Sequence, residues 1–182
     1  GAFRNCSGFY GELRLPKNLK HLGYEAFYQC SGLTGSLEIP QTIINIPNNC
    51  FSYTYLGGAL VLHDGIMTIG EGAFCGASLK GELRLPRDLE VISHRVFSYC
   101  DFSGELVLPK NLYTIGNYAF EGNWRLMGVL EIPENVISIG TGAFYNCTSL
   151  EGVIFPAGLE NIRSGERGAF QDCFGIGRIV CK

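Results

Sequence analysis

Eight cysteines and three histidines in 182 residues are the first places to look for chemistry, because thiolates and imidazoles bind metals and act as nucleophiles or bases. Their spacing supports neither use. No C-x2-C pair occurs, and His21, His63 and His94 stand far apart, so no zinc-ligand pattern forms. His63-Asp64 places an imidazole beside a carboxylate, yet no serine or cysteine falls next to it, and adjacent strand residues point to opposite faces. Gly70-Glu71-Gly72 and Gly140-Thr141-Gly142 begin a dinucleotide-loop pattern without completing G-x-G-x-x-G. Asn5-Cys6-Ser7 and Asn146-Cys147-Thr148 have the form of a glycosylation acceptor, but their cysteines belong inside the fold. Glu82 and Glu105 hold equivalent places in neighbouring units, as a glycosidase or lyase pair would have to. Arg84 and Arg87 stand close enough in sequence to neutralise them. None of these features predicts a catalytic residue, a cofactor or a metal site.

The elements that carry these residues repeat. A phenylalanine, usually preceded by alanine, recurs at Phe3, Phe27, Phe51, Phe74, Phe97, Phe120, Phe144 and Phe170, with spacings of 24, 24, 23, 23, 23, 24 and 26. A second series runs in register, from LRLP ending at Pro16 through LEIP at Pro40, LVLH at His63, LRLP at Pro86, LVLP at Pro109 and LEIP at Pro133 to VIFP at Pro156. Between them lie paired apolar residues such as Ile43/Ile46 and Leu112/Ile115, usually followed by glycine, as at Gly23, Gly70, Gly116 and Gly140. Two locked series of this kind mark a repeat architecture.

The L-x-(I/L)-P segment reads as one short strand per repeat, closed by a residue that cannot donate to a ladder. A strand this short cannot bury its own face, so it must stack in parallel on its equivalent one unit away, about 4.8 Å distant. Leucines of the strand, the apolar pair after the proline and the Ala-Phe pair then form columns. Glycine after the isoleucine reads as a position needing positive φ. RSGERG at 163–168 inserts residues before Ala169-Phe170, where a loop absorbs them. The whole chain, 1–182, reads as a single domain of about 7.5 units with a parallel sheet of 7–8 short strands and an irregular convex side. Ile179-Val180-Cys181 is the last strand.

Cys6, Cys30, Cys100, Cys147 and Cys173 all fall three residues after the repeat phenylalanine, where Thr54, Ala77 and Asn123 stand in other units. Small size is what the slot selects on this reading, and the cysteines are expected as buried free thiols. The strand residues facing outward form the column Arg14, Glu38, Val61, Arg84, Val107, Glu131, Ile154 and Val180. Its C-terminal half turns apolar, and Val107, Ile154 and Val180, with Val129 alongside, form a candidate partner patch. A second candidate surface is aromatic: Tyr28, Tyr53, Tyr55, Tyr99, Trp124 and Tyr145 gather in the turn after the phenylalanine. Such rings suit protein interfaces and sugar stacking.

Composition narrows the function classes. With 46% hydrophobic and 17% charged residues the chain is a folded domain. A net charge of −3 with 14 Lys and Arg spread thinly leaves no basic patch for nucleic acid. No apolar run approaches the roughly 18 residues a spanning helix requires, so membrane insertion is not expected.

LEIPENVISIGTGAFYNCTSL at residues 130–150 resembles the BspA-like leucine-rich repeats of bacterial surface proteins. The resemblance covers essentially the entire chain, with departures at His63 for Pro and at Cys50 and Val96 for Ala. It implies a right-handed, arc-shaped solenoid on an exported or surface-anchored protein, of a type found in gut or oral Bacteroidetes. It also implies a non-enzymatic role in adhesion, recognising a host or matrix protein or a glycan. The secretion signal this localisation presumes lies outside these residues. A passive spacer is the first alternative, and a polysaccharide-processing β-helix enzyme the second. Both ends open inside repeat material, which reads either as a fragment of a longer surface protein or as ends that pair with another molecule. A monomer is the favoured state.

Overall fold

Each repeat closes one coil because its apolar positions can be covered only by the coils before and after it. The computed structural model describes residues 1–182 and contains strands and turns but no helix. In chain order the strands are β1 (Gly11–Glu12), β2 (Leu33–Glu38), β3 (Asn45–Ile46), β4 (Gly57–Val61), β5 (Thr68–Ile69), β6 (Lys80–Gly81), β7 (Val91–Ile92), β8 (Asp101–Glu105), β9 (Thr114–Ile115), β10 (Arg125–Glu131), β11 (Ser138–Ile139), β12 (Leu150–Phe155), β13 (Asn161–Ile162) and β14 (Arg178–Cys181). Even-numbered strands and β1 line one face, the sheet face; β3 and the later odd-numbered strands line a second. Every pairing between named strands is parallel and joins a segment to its equivalent one coil away.

The expectation of one strand per repeat is therefore corrected to two. In the second series an inward isoleucine follows a more exposed residue, as in Thr68-Ile69 and Thr114-Ile115. Two residues are too few to show a period of two in sequence. Strands of the sheet face also begin earlier than L-x-(I/L), since β2 starts at Leu33 and β10 at Arg125.

The phenylalanine side has no strand. From Phe27 to Phe144 its backbone turns through positive φ two residues before and two after each repeat phenylalanine, for instance at Asn49 (52°) and Tyr53 (56°) around Phe51. That conformation aims alternate N–H groups along the axis: Asn49, Phe51 and Tyr53 donate to Glu71, Ala73 and Cys75 of the next coil at 2.8, 2.8 and 2.7 Å. Phenylalanine rings from Phe27 to Phe170 stack face to face with centroids 5.0–5.7 Å apart. Phe51, Phe74, Phe97, Phe120 and Phe144 have no exposed surface, so each contributes roughly 1.5–3 kcal/mol by burial alone.

Glycine after the isoleucine has a different cause from the one expected. Gly23, Gly70, Gly116 and Gly140 are absent from the positive-φ residues. A Cβ at Gly116 would lie 2.7 Å from the His94 nitrogen and one at Gly140 2.5 Å from the Asn117 nitrogen. Close approach of the preceding coil is what excludes a side chain at Gly70, Gly116 and Gly140, whereas a Cβ at Gly23 would meet open space. It lets the N–H of Gly70, Gly116 and Gly140 donate to the isoleucine carbonyl one coil back at 2.7–2.8 Å.

Three coils lack this glycine: Arg163 still donates its N–H to Ile139 at 2.9 Å and β13 pairs with β11, but at Pro47 and Ser93 the ladders break. Pro47 has no N–H to give, and β3 pairs only with β5. Ser93 donates its hydroxyl to the Ile69 carbonyl at 2.5 Å in place of its backbone, and β5 does not pair with β7. The sheet face is interrupted at the same junction, between β4 and β6. The phenylalanine stack continues across it, with Phe74 and Phe97 centroids 5.7 Å apart.

Candidate interaction surfaces

The residues whose types could have done chemistry are absorbed into coil contacts, as the repeat reading expects. His63 Nε2 lies 3.0 and 3.1 Å from the carbonyls of Pro40 and Ile43, while its Nδ1 accepts the Gly65 N–H at 3.1 Å, so both ring nitrogens are occupied. Asp64 accepts from Arg87 of the next coil through its backbone N–H at 3.1 Å and its Nε at 2.7 Å. These two hydrogen bonds hold the Asp64 carboxyl below its usual range and tie together the coils whose ladders are interrupted. Arg87 is thus turned away from Glu82 and Glu105, contrary to expectation. Arg84 alone meets Glu82, at 3.4 Å on an exposed strand.

The cysteine slot selects a donor, a property that size alone does not describe. Cys30, Cys100, Cys147 and Cys173 point their thiols at the carbonyls of Phe3, Phe74, Phe120 and Phe144, one coil back, at 2.9, 3.2, 3.2 and 3.0 Å. Asn123 does the same to Phe97 at 2.7 Å. Ala77 has nothing to donate, and the Phe51 carbonyl it would serve receives the Thr54 hydroxyl at 2.8 Å. All eight cysteines are free thiols. Burial pushes the Cys50 thiol up to about 12 and Cys173 to about 11, with Cys100 and Cys147 higher still. Thiols so disfavoured as thiolates are poor nucleophiles.

On the sheet face the expected column is in register: Glu38 sits opposite Val61, Arg84 opposite Val107, Glu131 opposite Ile154, and Ile154 opposite Val180. Val107 is 75% exposed and Val129 44%, and both line a depression of about 580 Å³. Ile154 and Val180 are only half-buried neighbours beyond it. Glu131 separates the two groups, and its carboxylate, with that of Glu134, holds the Lys182 ammonium at 2.6 and 3.1 Å. The floor is apolar, and its rim carries Glu105, Glu131, Glu134, Lys110 and Lys182.

The aromatic residues form three groups in place of one continuous edge. Tyr28 and Tyr53 meet edge to face at 6.0 Å, and Tyr53 and Tyr55 border a depression of about 510 Å³. Tyr99 and Trp124 share a second depression, of about 550 Å³. Tyr145 lies beneath Arg167, whose guanidinium is 4.2 Å from the ring centroid. Several of these rings are structural on one side. A Cβ on Gly76 would sit 2.6 Å from Tyr53 Cδ1, and one on Gly122 2.9 Å from Tyr99 Cδ1, so each ring rests on the glycine of the next coil.

One feature gave little warning in sequence. Glu121 is buried, yet its carboxylate accepts from Ser98 at 3.1 Å, Tyr99 at 2.8 Å and Arg167 at 2.9 Å. Arg167 belongs to the 163–168 insertion, which therefore folds back across two coils to complete a polar cluster. The only signal was a glutamate in the slot after Phe120, where neighbouring coils carry Ser98 and Tyr145.

A family model described as the BspA type leucine-rich repeat region matches residues 1–103 and 126–182 in six copies. A solved leucine-rich repeat protein of T. pallidum superposes with a TM-score of 0.70 at 27% identity, over 80% of this chain and 68% of its own. Another, from Bacteroides ovatus, covers 99% of this chain and 57% of its own with a TM-score of 0.53 at 22% identity, a likeness of fold. No curated protein matches the chain.

Proposed function

Because the chain belongs to the BspA type leucine-rich repeat family, we propose that it is a non-catalytic binding module that works outside the cell and holds a protein partner on its sheet face. The carrying observation is the depression containing Val107 and Val129, where exposed apolar side chains sit inside a charged rim. Buried apolar contacts at the centre and polar contacts around them are the usual anatomy of a protein interface. Carboxylates outnumber lysines on that rim, so the segment that fits is an apolar one carrying a lysine or arginine, able to replace Lys182 between Glu131 and Glu134. Parallel, hydrogen-bonded strands give this surface the rigidity that keeps the entropic cost of docking low.

Work at a cell surface is drawn from the family, and no helix of the chain is long and apolar enough to cross a membrane. The test is adhesion of the purified chain to immobilised host and matrix proteins. Val107→Asp and Val129→Asp should each lower binding at least about tenfold, as expected when a central apolar contact is replaced by a buried charge, with unchanged thermal melting. If no immobilised protein retains the chain, the spacer reading replaces this one.

A further inference from the structure

A second surface lies at the corner where the phenylalanine turns run into the first residues of β6 and β8, apart from the depression around Val107 and Val129. It is built from Ser78, Lys80, Tyr99, Asp101, Trp124 and Asn146, contributed by four successive coils. Its volume of about 550 Å³ falls in the range of small-molecule sites.

Two aromatic rings are exposed there, Tyr99 by 51% and Trp124 by 46%. Both are held in place. Tyr99 Oη donates to buried Glu121 at 2.8 Å, and its ring rests on Gly122. Arg125 lies 4.4 Å from the Trp124 ring centroid and 3.4 Å from Asp101 Oδ1, linking ring and carboxylate. Rings fixed in this way present apolar surface without losing side-chain entropy on binding.

Around the rings stand polar groups that nothing in the molecule satisfies. The Ser78 hydroxyl, the Lys80 ammonium, the Asn146 amide and the Trp124 indole N–H take part in no hydrogen bond or ion pair, whereas the nearby side chains of Tyr99, Asn123 and Arg125 are all engaged. Asp101 Oδ1 is sealed from solvent without a hydrogen bond, and its side chain remains one-third exposed. The remaining lining is glycine, plus Cys100, whose thiol is committed to Phe74.

We propose that this depression binds a saccharide. A sugar ring presents an apolar C–H face suited to stacking on an aromatic side chain and a girdle of hydroxyls that both donate and accept. Ammonium, amide, indole and hydroxyl groups supply donors for that girdle, and Asp101 and Asn146 supply acceptors. A protein segment would need an apolar floor, which the sheet-face depression has and this one lacks.

Trp124 is the chain's single tryptophan, so fluorescence excited selectively at tryptophan, beyond the absorption of the nine tyrosines, reports on this depression. The probes are chitotriose, cellotriose, maltotriose, xylotriose and sialyllactose, titrated to millimolar concentration. At least one is expected to change Trp124 emission saturably. Lys80→Ala and Asn146→Ala, both at exposed positions, should each weaken that response by about fivefold, the loss of roughly one hydrogen bond. Val107→Asp, in the separate depression that shares no residue with this one, should leave it unchanged. The assignment is overturned if no probe produces a saturable change, if the response survives both alanine variants, or if Val107→Asp abolishes it. Failure of the protein-binding reading would leave this titration untouched, because the two surfaces share no residue.

Discussion

The thiol ladder shows how one residue type can be kept for a task its chemistry does not advertise. The carbonyls of Phe74, Phe120 and Phe144 accept both a backbone N–H and a thiol, but that of buried Phe51 has only the Thr54 hydroxyl, and leaving such an acceptor without its donor costs about 1–3 kcal/mol. Sequence spacing revealed the slot and its burial but suggested size as the criterion, because cysteine, threonine, alanine and asparagine share smallness more visibly than donor capacity. The coordinates separate the two through Thr54, whose hydroxyl serves the Phe51 carbonyl that Ala77 cannot reach. Thr54→Ala is therefore expected to destabilise the fold by about 1–3 kcal/mol in urea unfolding. Adding Ala77→Cys should restore at least half of the loss, since a thiol there repeats the geometry of Cys100 toward Phe74. Lack of rescue would return the slot to a question of volume.

At the scale of elements, the outward strand column was legible because a period of two survives even in short strands, and Glu38 with Val61, Arg84 with Val107, and Glu131 with Ile154 and Val180 lie in register. The second strand was not, since two residues carry no period. Contact between the 163–168 insertion and Glu121 was hidden for another reason: a loop's composition does not say where it lands. The glycine slot was seen but misread. Its role is clearance for the preceding coil, which Arg163 manages without glycine in the last coil, while Pro47 and Ser93 are the two places where the ladder stops. Ser93→Gly is expected to let residue 93 donate to Ile69 as Gly116 does to Ile92. Hydrogen exchange would then slow at amide 93. Exchange as fast as in the parent chain would show that the side chain is not what parts β5 from β7.

For the whole molecule, coils pack on their neighbours, with Arg167 and Lys182 reaching two coils away, so stability is close to a chain of interfaces. The phenylalanine stack was the most legible part of the fold, because a large apolar ring recurring every 23–26 residues must be buried once per coil and so falls into a column. Phe74 stands where the stack spans the interrupted ladders, between Phe51 at 5.6 Å and Phe97 at 5.7 Å. Phe74→Ala should cost roughly 3–5 kcal/mol in equilibrium unfolding; a loss below about 1 kcal/mol would mean that the rings are not what joins these coils. The candidate surfaces were legible as sets of residues, but their division into separate depressions depended on Lys182, Arg125 and Arg167, whose reach no spacing reveals. The junction between β4 and β6 has a mechanical meaning as well. With both strand ladders missing, tension applied along the solenoid meets at that plane the stacked rings, the turn hydrogen bonds from Gly72, Phe74 and Gly76 to His94, Val96 and Ser98, the Ser93 and Cys100 side-chain bonds and the Asp64–Arg87 clasp. A molecule tethered at one end and loaded at the other would part there first, releasing its length in two blocks and leaving the coils that carry Val107 and Trp124 intact on the far side.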